Sequence, residues 1–180
     1  EGHEHHMSHV ATTRDGLLCA SVERCNRPSI HIWDANTCQL VVKLPVFHRR
    51  GIVSMNFSKD GKRLVSVGQD QDHSIAVWES PSGTWLDGHI LATGKADVNP
   101  ALFCSFYDKQ TDGYVLASGG RFHQKFWYID GRCLNANYPD YDPKQKIGTL
   151  LCGTSVGHDF VSGSTSGHLF VWHGRKLNRM

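Results

Sequence analysis

The sequence predicts an all-β fold of about four propeller blades, and three observations predict it. The hexapeptide Ser29–Asp34 recurs as Ser74–Glu79, His123–Tyr128 and His168–His173. Its tryptophans, Trp33, Trp78, Trp127 and Trp172, lie 45, 49 and 45 residues apart. A fixed period of about 40–45 residues that carries short strands and a Trp-Asp-like dipeptide is the signature of a bladed β-propeller. One such tryptophan fits any strand; four in register with matching flanks point to a repeat. The second observation is the turn chemistry before three of the four tryptophans, and the third is the lack of any convincing amphipathic helix.

The elements follow in order around each tryptophan. Residues 8–13, 53–58, 101–106 and 148–154 are rich in β-formers or small residues and predict the first strand of each unit. Three of them run into Asp15-Gly16, Asp60-Gly61 and Asp112-Gly113. Glycine tolerates positive φ and aspartate bonds its own backbone, so these are hairpin signals. Second strands are predicted at 17–22, 63–68, 114–119 and 160–164, and each third strand ends at its tryptophan. Fourth strands are expected at 39–44, 84–90 and, more weakly, 133–137, with none after Trp172. All six prolines (Pro28, Pro45, Pro81, Pro100, Pro139 and Pro143) fall between strands, as a residue without a donor must in a central ladder.

The count is three four-stranded units and one three-stranded unit, with blades at about 1–44, 45–90, 91–138 and 139–180. Propellers of this kind commonly need about seven blades to close. An open arc of four exposes two sheet edges and an apolar flank, which folded proteins avoid. The chain is therefore expected to be part of a larger propeller, an incomplete ring whose first partners are the remaining blades of the same chain; a compact four-bladed ring is the disfavoured alternative. The absence of an initiator methionine at Glu1 agrees with that expectation.

Composition is that of an ordinary globular domain, long enough to bury a substantial core. No stretch approaches the roughly 18 apolar residues of a membrane span, the N-terminal residues lack a signal-peptide pattern, and no membrane partner is expected. The net charge of +2 falls short of the strongly basic balance of nucleic-acid binders. Cys19, Cys25, Cys38, Cys104, Cys133 and Cys152 form no CxxC pair and read as buried free thiols of a reducing compartment.

Polar residues also recur at fixed offsets. His3 and His48 each lie 30 residues before a tryptophan, Ser21 and Ser66 lie 12 before, and Asp72 lies six before Trp78. This resembles the structural tetrad of the WD40 family, in which a loop histidine, a serine or threonine, an aspartate and the tryptophan form one hydrogen-bonded chain. The resemblance implies tetrad roles for His3, Ser21 and Trp33, and for His48, Ser66, Asp72 and Trp78. Such a network satisfies buried polar groups and ties a loop to the outer strands. A hydrolase triad of His48, Ser66 and Asp72 is the competing reading, and recurrence at fixed offsets argues against it. Arg27 stands where the first aspartate is expected. In the third and fourth repeats Asp97 and Asp142 replace the histidine, and Arg121 and Ser166 replace the aspartate, so no tetrads are expected there.

No other chemistry is indicated. His3, His5, His6 and His9 cluster, but Met7 breaks the His-Glu-x-x-His pattern, and neither a metal nor a cofactor is expected. No phosphate loop, Gly-x-Ser-x-Gly or kinase signature occurs, and Gly119-Gly120 lacks the helix of a dinucleotide fingerprint. On one loop face the topology gathers Arg27, Arg49, Arg50 and Arg121 as candidate partner-binding residues, diluted by Glu23, Asp70 and Asp72. The opposite face carries Lys59, Lys62, Lys109, Arg132, Arg175 and Lys176. Either set fits an acidic partner such as a filament surface or nucleic acid. For any single residue a solvated loop charge is the simpler reading.

The chain resembles, more narrowly, the echinoderm microtubule-associated protein-like family. Four pieces carry this: 31–37 (His-Ile-Trp-Asp-Ala-Asn-Thr), 61–68 (Gly-Lys-Arg-Leu-Val-Ser-Val-Gly), 119–131 with its Phe126-Trp127, and 164–172 with its Ser-Gly turn and Val171-Trp172. The resemblance implies a tandem propeller pair of which these are about four consecutive blades. It also implies a non-enzymatic scaffold in the cytoplasm or cytoskeleton, associated with tubulin, microtubules or axonemal proteins of a cilium. The family's amino-terminal hydrophobic motif and coiled-coil segment do not occur in these residues. The alternative is an adaptor propeller of a ubiquitin ligase, transport or RNA-processing complex, since this fold is reused widely.

Overall fold

Short segments with alternating burial, broken by turn residues, set the architecture. The computed structural model describes residues 3–4, 6–111, 113–142 and 147–179. Glu1, Gly2, His5, Asp112, Pro143 and Met180 lie outside them. The described residues form strands and no helix: β1 (Met7–Thr12), β2 (Leu18–Glu23), β3 (Ile30–Asp34), β4 (Leu40–Lys43), β5 (Ile52–Phe57), β6 (Arg63–Gly68), β7 (Ser74–Glu79) and β8 (His89–Lys95) in the first half. β9 (Ala101–Thr111), β10 (Tyr114–Gly120), β11 (His123–Asp130), β12 (Cys133–Asn137), β13 (Leu150–Val156), β14 (Asp159–Ser164), β15 (Leu169–His173) and β16 (Lys176–Arg179) follow.

Each consecutive set of four strands is an antiparallel meander, one blade. The outer strands of the second and third blades, β8 and β12, also meet in one parallel bridge between Thr93 and Cys133. The Asp-Gly turns work as expected: Gly16 and Gly61 hold φ of 72° and 70°, and Asp15 and Asp60 accept from Thr13 and Ser58.

The core is three apolar layers between consecutive blades. Ile30 and Ile32 pack with Leu64 and Trp78. Val65 and Val77 pack with Leu116 and Trp127, and Phe103 and Phe126 with Phe160 and Trp172. The period of two along a strand produces this, because alternate residues face opposite neighbours. On β7, Ala76 and Trp78 face the earlier blade while Ile75 and Val77 face the later one. Each tryptophan therefore packs toward the blade before it. Trp78, Trp127 and Trp172 are buried, whereas Trp33, on the outer flank of the first blade, is half-buried.

The inner strands β1, β5, β9 and β13 touch in sequence, and β13 makes no comparable contact back to β1, so the arc is open. At its two ends Val10, Leu151 and Leu169 are each more than half exposed.

Two strand expectations are corrected. The fourth strand of the second blade begins at His89, not Thr84. Residues 80–88 form a loop plugged by the fully buried Trp85, at φ 66°, whose indole N–H donates to the Gly61 carbonyl at 2.9 Å. Asp87 fixes that loop by accepting from the Ser80 and Ser82 hydroxyls, which with the Ser82 N–H hold its carboxyl at about 2. The last blade has a fourth strand after all: Gly174, at φ 56°, turns the chain so that Trp172 pairs with Leu177. The cysteines are free thiols, but only Cys104 is buried, and Cys38, Cys133 and Cys152 are exposed. No helix among the described residues is long and apolar enough to cross a membrane.

Candidate functional site

In the second blade a polar relay runs from the tryptophan to the loop face. The Trp78 indole N–H donates to Ser66 Oγ at 2.9 Å, and the Ser66 hydroxyl donates to His48 Nε2 at 2.7 Å. His48 then carries its proton on Nδ1 and donates to Ser74 Oγ at 2.9 Å. Ser74 in turn donates to Asp70 Oδ2 at 2.5 Å. The directions are forced at both ends, because an indole N–H only donates and a carboxylate only accepts. Hydrogen bonding on the His48 side pulls the Asp70 carboxyl well below the usual carboxylate range, and Ser74 adds to it through its hydroxyl and N–H.

The backbone makes room for this relay. A Cβ on Gly68 would lie 2.5 Å from His48 Nδ1, so β6 must end in glycine. The carboxylate is thus Asp70 and not Asp72. Asp72 is solvent-facing and pairs with Lys95 at 3.2 Å. Ser74 occupies the space between imidazole and carboxylate, which draws the acid from the start of the turn. Ser66 is fully buried and turned to Trp78 and His48, a placement that offers no nucleophile to solvent.

The first blade repeats the relay with a different acid. Trp33 donates to Ser21 Oγ at 2.6 Å, and Ser21 to His3 Nε2 at 2.6 Å. His3 Nδ1 donates to Glu23 Oε1 at 2.8 Å. Glu23, at the end of β2, does the work expected four residues later, where Arg27 stands. Against His3 lies a second imidazole, His31, stacked at 4.0 Å between centroids with planes 7° apart. Burial, and then its neighbour His3, push His31 down to about 4.

The third and fourth blades keep only the inner half. Trp127 donates to Ser118 and Trp172 to Ser162, both at 2.8 Å. A tryptophan–serine pair thus remains in the two blades where no full tetrad is expected. In place of the histidine, the third blade sets Lys125 in an ion pair with Asp97 at 3.0 Å. Its ammonium also donates to the Ala96 carbonyl and lies over the Tyr138 ring at 4.8 Å. Burial opposes ionisation of Asp97, but the Asn99 N–H and Lys125 together hold it down at about 2. In the fourth blade Tyr141 packs edge-on against Trp172 at 6.3 Å.

Above the relays of the first two blades lies the arginine face. The Arg27 N–H donates to the Arg49 carbonyl at 3.2 Å, joining the two connections. Two adjoining hollows of about 660 and 630 Å³ share Phe47, Arg49 and Arg50 as lining; the first reaches Asp70 and Lys95, the second Arg27 and Val46. Arg121 is not part of them. It sits at the β10–β11 turn with its guanidinium 5.5 Å from the Phe122 ring. Among the described residues no group of three or more acidic, histidine or cysteine side chains is arranged to hold a metal.

No protein-family model matches the chain. It is 30% identical over 157 residues to "Echinoderm microtubule-associated protein-like 1" of Rattus norvegicus, spanning 85% of this chain and 18% of that protein. With "Echinoderm microtubule-associated protein-like 2" of Homo sapiens it shares 30% over 158 residues, 85% of this chain and 23% of the relative. With "WD repeat-containing protein 90" of Xenopus tropicalis it shares 26% over 181 residues, 95% of this chain and 9% of the relative. The chain thus spans about a fifth of the first two relatives. Among solved structures it overlays on the Swd1 β-propeller domain of Myceliophteria thermophila with a TM-score of 0.76 and 18% identity, covering 98% of this chain and 55% of that one. The RRP9 WD40 repeats give 0.72 and 21%, covering 98% and 49%. The fold is that of a WD40 β-propeller, of which this arc is about four blades, and the sequence resembles the echinoderm microtubule-associated protein-like family.

Proposed function

We propose that this chain is part of a non-enzymatic, microtubule-associated scaffold of the cytoplasm and cytoskeleton, axonemes included, and that its loop face meets an acidic partner surface. The resemblance to the two microtubule-associated relatives supports the class of partner. The observation that carries the contact is the convergence of Arg27, Arg49 and Arg50 on two adjoining hollows lined also by Val46 and Phe47. Cations in a concave, partly apolar setting focus potential toward an anionic surface. The relays beneath hold those loops in place in the first two of four blades divided at about 44, 90 and 138. His3, Ser21 and Trp33, and His48, Ser66 and Trp78, serve there as structural ties, with Trp127 and Trp172 anchoring the later blades.

Co-sedimentation of the full-length protein with polymerised tubulin tests this. The wild type is expected in the pellet at moderate salt and to be released as salt screens the contact. Reversing Arg27, Arg49 and Arg50 to glutamate should move it to the supernatant without changing its melting temperature. A wild type that stays in the supernatant ends the microtubule reading. Capture of ligase or RNA-particle subunits without tubulin would put an adaptor propeller in its place.

A further inference from the structure

Among the described residues, five buried side-chain nitrogen and oxygen atoms have no partner, and three of them belong to two adjacent residues. These are His123 Nε2 and both amide atoms of Gln124. His123 is 5% exposed and Gln124 fully buried. A buried carboxamide with both ends unpaired costs more than any apolar residue of its shape in that place. Both residues line one hollow of about 340 Å³, and its other walls are Phe122, Tyr138, Tyr141 and Ile147 with Pro139. Apolar walls around a few convergent polar groups are what small peptide and ligand pockets share.

The walls are also held ready. Phe122 keeps φ at 61°, a region L side chains rarely adopt, and its ring is 64% exposed. Tyr138 is 61% exposed, yet its hydroxyl donates to Asp97 and Lys125 sits over its ring. Two exposed aromatics fixed by strain and by a buried ion pair form a preorganised clamp. Arg121, beside Phe122, puts a cation on the rim.

We propose that this hollow is a second binding site, for an extended peptide segment of a partner protein. The Gln124 carboxamide pairs with one main-chain amide of the peptide, Oε1 accepting its N–H and Nε2 donating to its carbonyl. His123 Nδ1 faces the Arg121 carbonyl at 3.2 Å, and its ring lines the hollow beside Phe122. An apolar side chain lodges among Phe122, Tyr138 and Tyr141, and an acidic neighbour meets Arg121. The site stands apart from the arginine hollows and does not depend on the microtubule reading.

The test is to pan a randomised nine-residue peptide library on the full-length protein, with the Gln124→Leu variant as parallel target. Peptides enriched at least about tenfold on the wild type are expected, sharing an apolar residue beside Asp or Glu; Tyr138→Ala should weaken them about tenfold and Arg121→Glu severalfold. Equal enrichment on both targets, enrichment of basic peptides, or no enrichment overturns the proposal. Thermal unfolding gives a second readout. Removing an amide kept for a ligand should raise the melting temperature of Gln124→Leu, whereas a lower one means that water satisfies the amide as part of the fold, and the site is lost.

Discussion

The first two blades carry their tryptophan N–H through a serine and an imidazole to a carboxylate, whereas the last two stop at the serine. Trp78 in the first half and Trp127 and Trp172 in the second are buried in the same kind of layer. The difference teaches that the apolar layer makes a blade and the relay ties a loop to it. Where the relay is missing, other chemistry holds the loop: an ion pair roofed by Tyr138 in the third blade, and an edge-on tyrosine in the fourth.

The largest effect tests what the halves have in common. Trp78→Ala and Trp172→Ala should each destabilise the propeller by about 3–5 kcal/mol in chemical unfolding, the cost of deleting a large buried aromatic. Both are buried to the same degree. A Trp172→Ala protein as stable as wild type would mean that the last blade is not part of the same cooperative unit.

Acid should separate the halves. His31 is pushed down to about 4, so between pH of about 6.5 and about 4 the unfolded chain binds a proton that the folded one refuses. Stability is full above that window and falls by about 3 kcal/mol across it. Asp97, held at about 2, contributes above about pH 4 and loses about 2 kcal/mol as pH falls toward 2. A titration of stability should therefore show two steps. His31→Phe, which keeps a ring against His3, should flatten the upper step alone, and Asp97→Asn should remove only its own share of the lower step, to which Asp70 and Asp87 of the second blade also contribute. If His31→Phe leaves the upper step unchanged, the first blade is not its source.

How much of this was legible in the sequence depends on what each signal is measured from. The tryptophan period and the turns at Asp15-Gly16 and Asp60-Gly61 are local, and most of the predicted strands lie within two residues of those observed. Counting back from the tryptophan does not find the serines of the last two blades, because the connection it crosses varies in length. Ser21 and Ser66 stand 12 before it, but Ser118 stands nine and Ser162 ten. Aligning the second strands instead, where Ala20-Ser21, Val65-Ser66, Ala117-Ser118 and Val161-Ser162 match, finds all four. Glu23 and Asp70 were not legible in that way. Which acid reaches an imidazole depends on the path of the turn and, at Asp70, on the serine placed between them. Trp85 lies off the period, and only its tertiary contacts show why a loop there is buried.

The smallest effect is the sharpest test of the comparison. Ser66→Ala leaves two buried groups unpaired, the Trp78 N–H and His48 Nε2, and should cost about 2–3 kcal/mol. Ser162→Ala strands the Trp172 N–H, the one partner its hydroxyl is seen to hold, and should cost about 1 kcal/mol. Adding His48→Leu to Ser66→Ala removes the stranded acceptor, so the double variant should lose less than the sum of the two single losses, a coupling that a cycle measures. Equal costs at Ser66 and Ser162, with additive losses at Ser66 and His48, would mean that the relay is geometry without consequence. The first two blades would then owe their stability, like the last two, to the apolar layer alone.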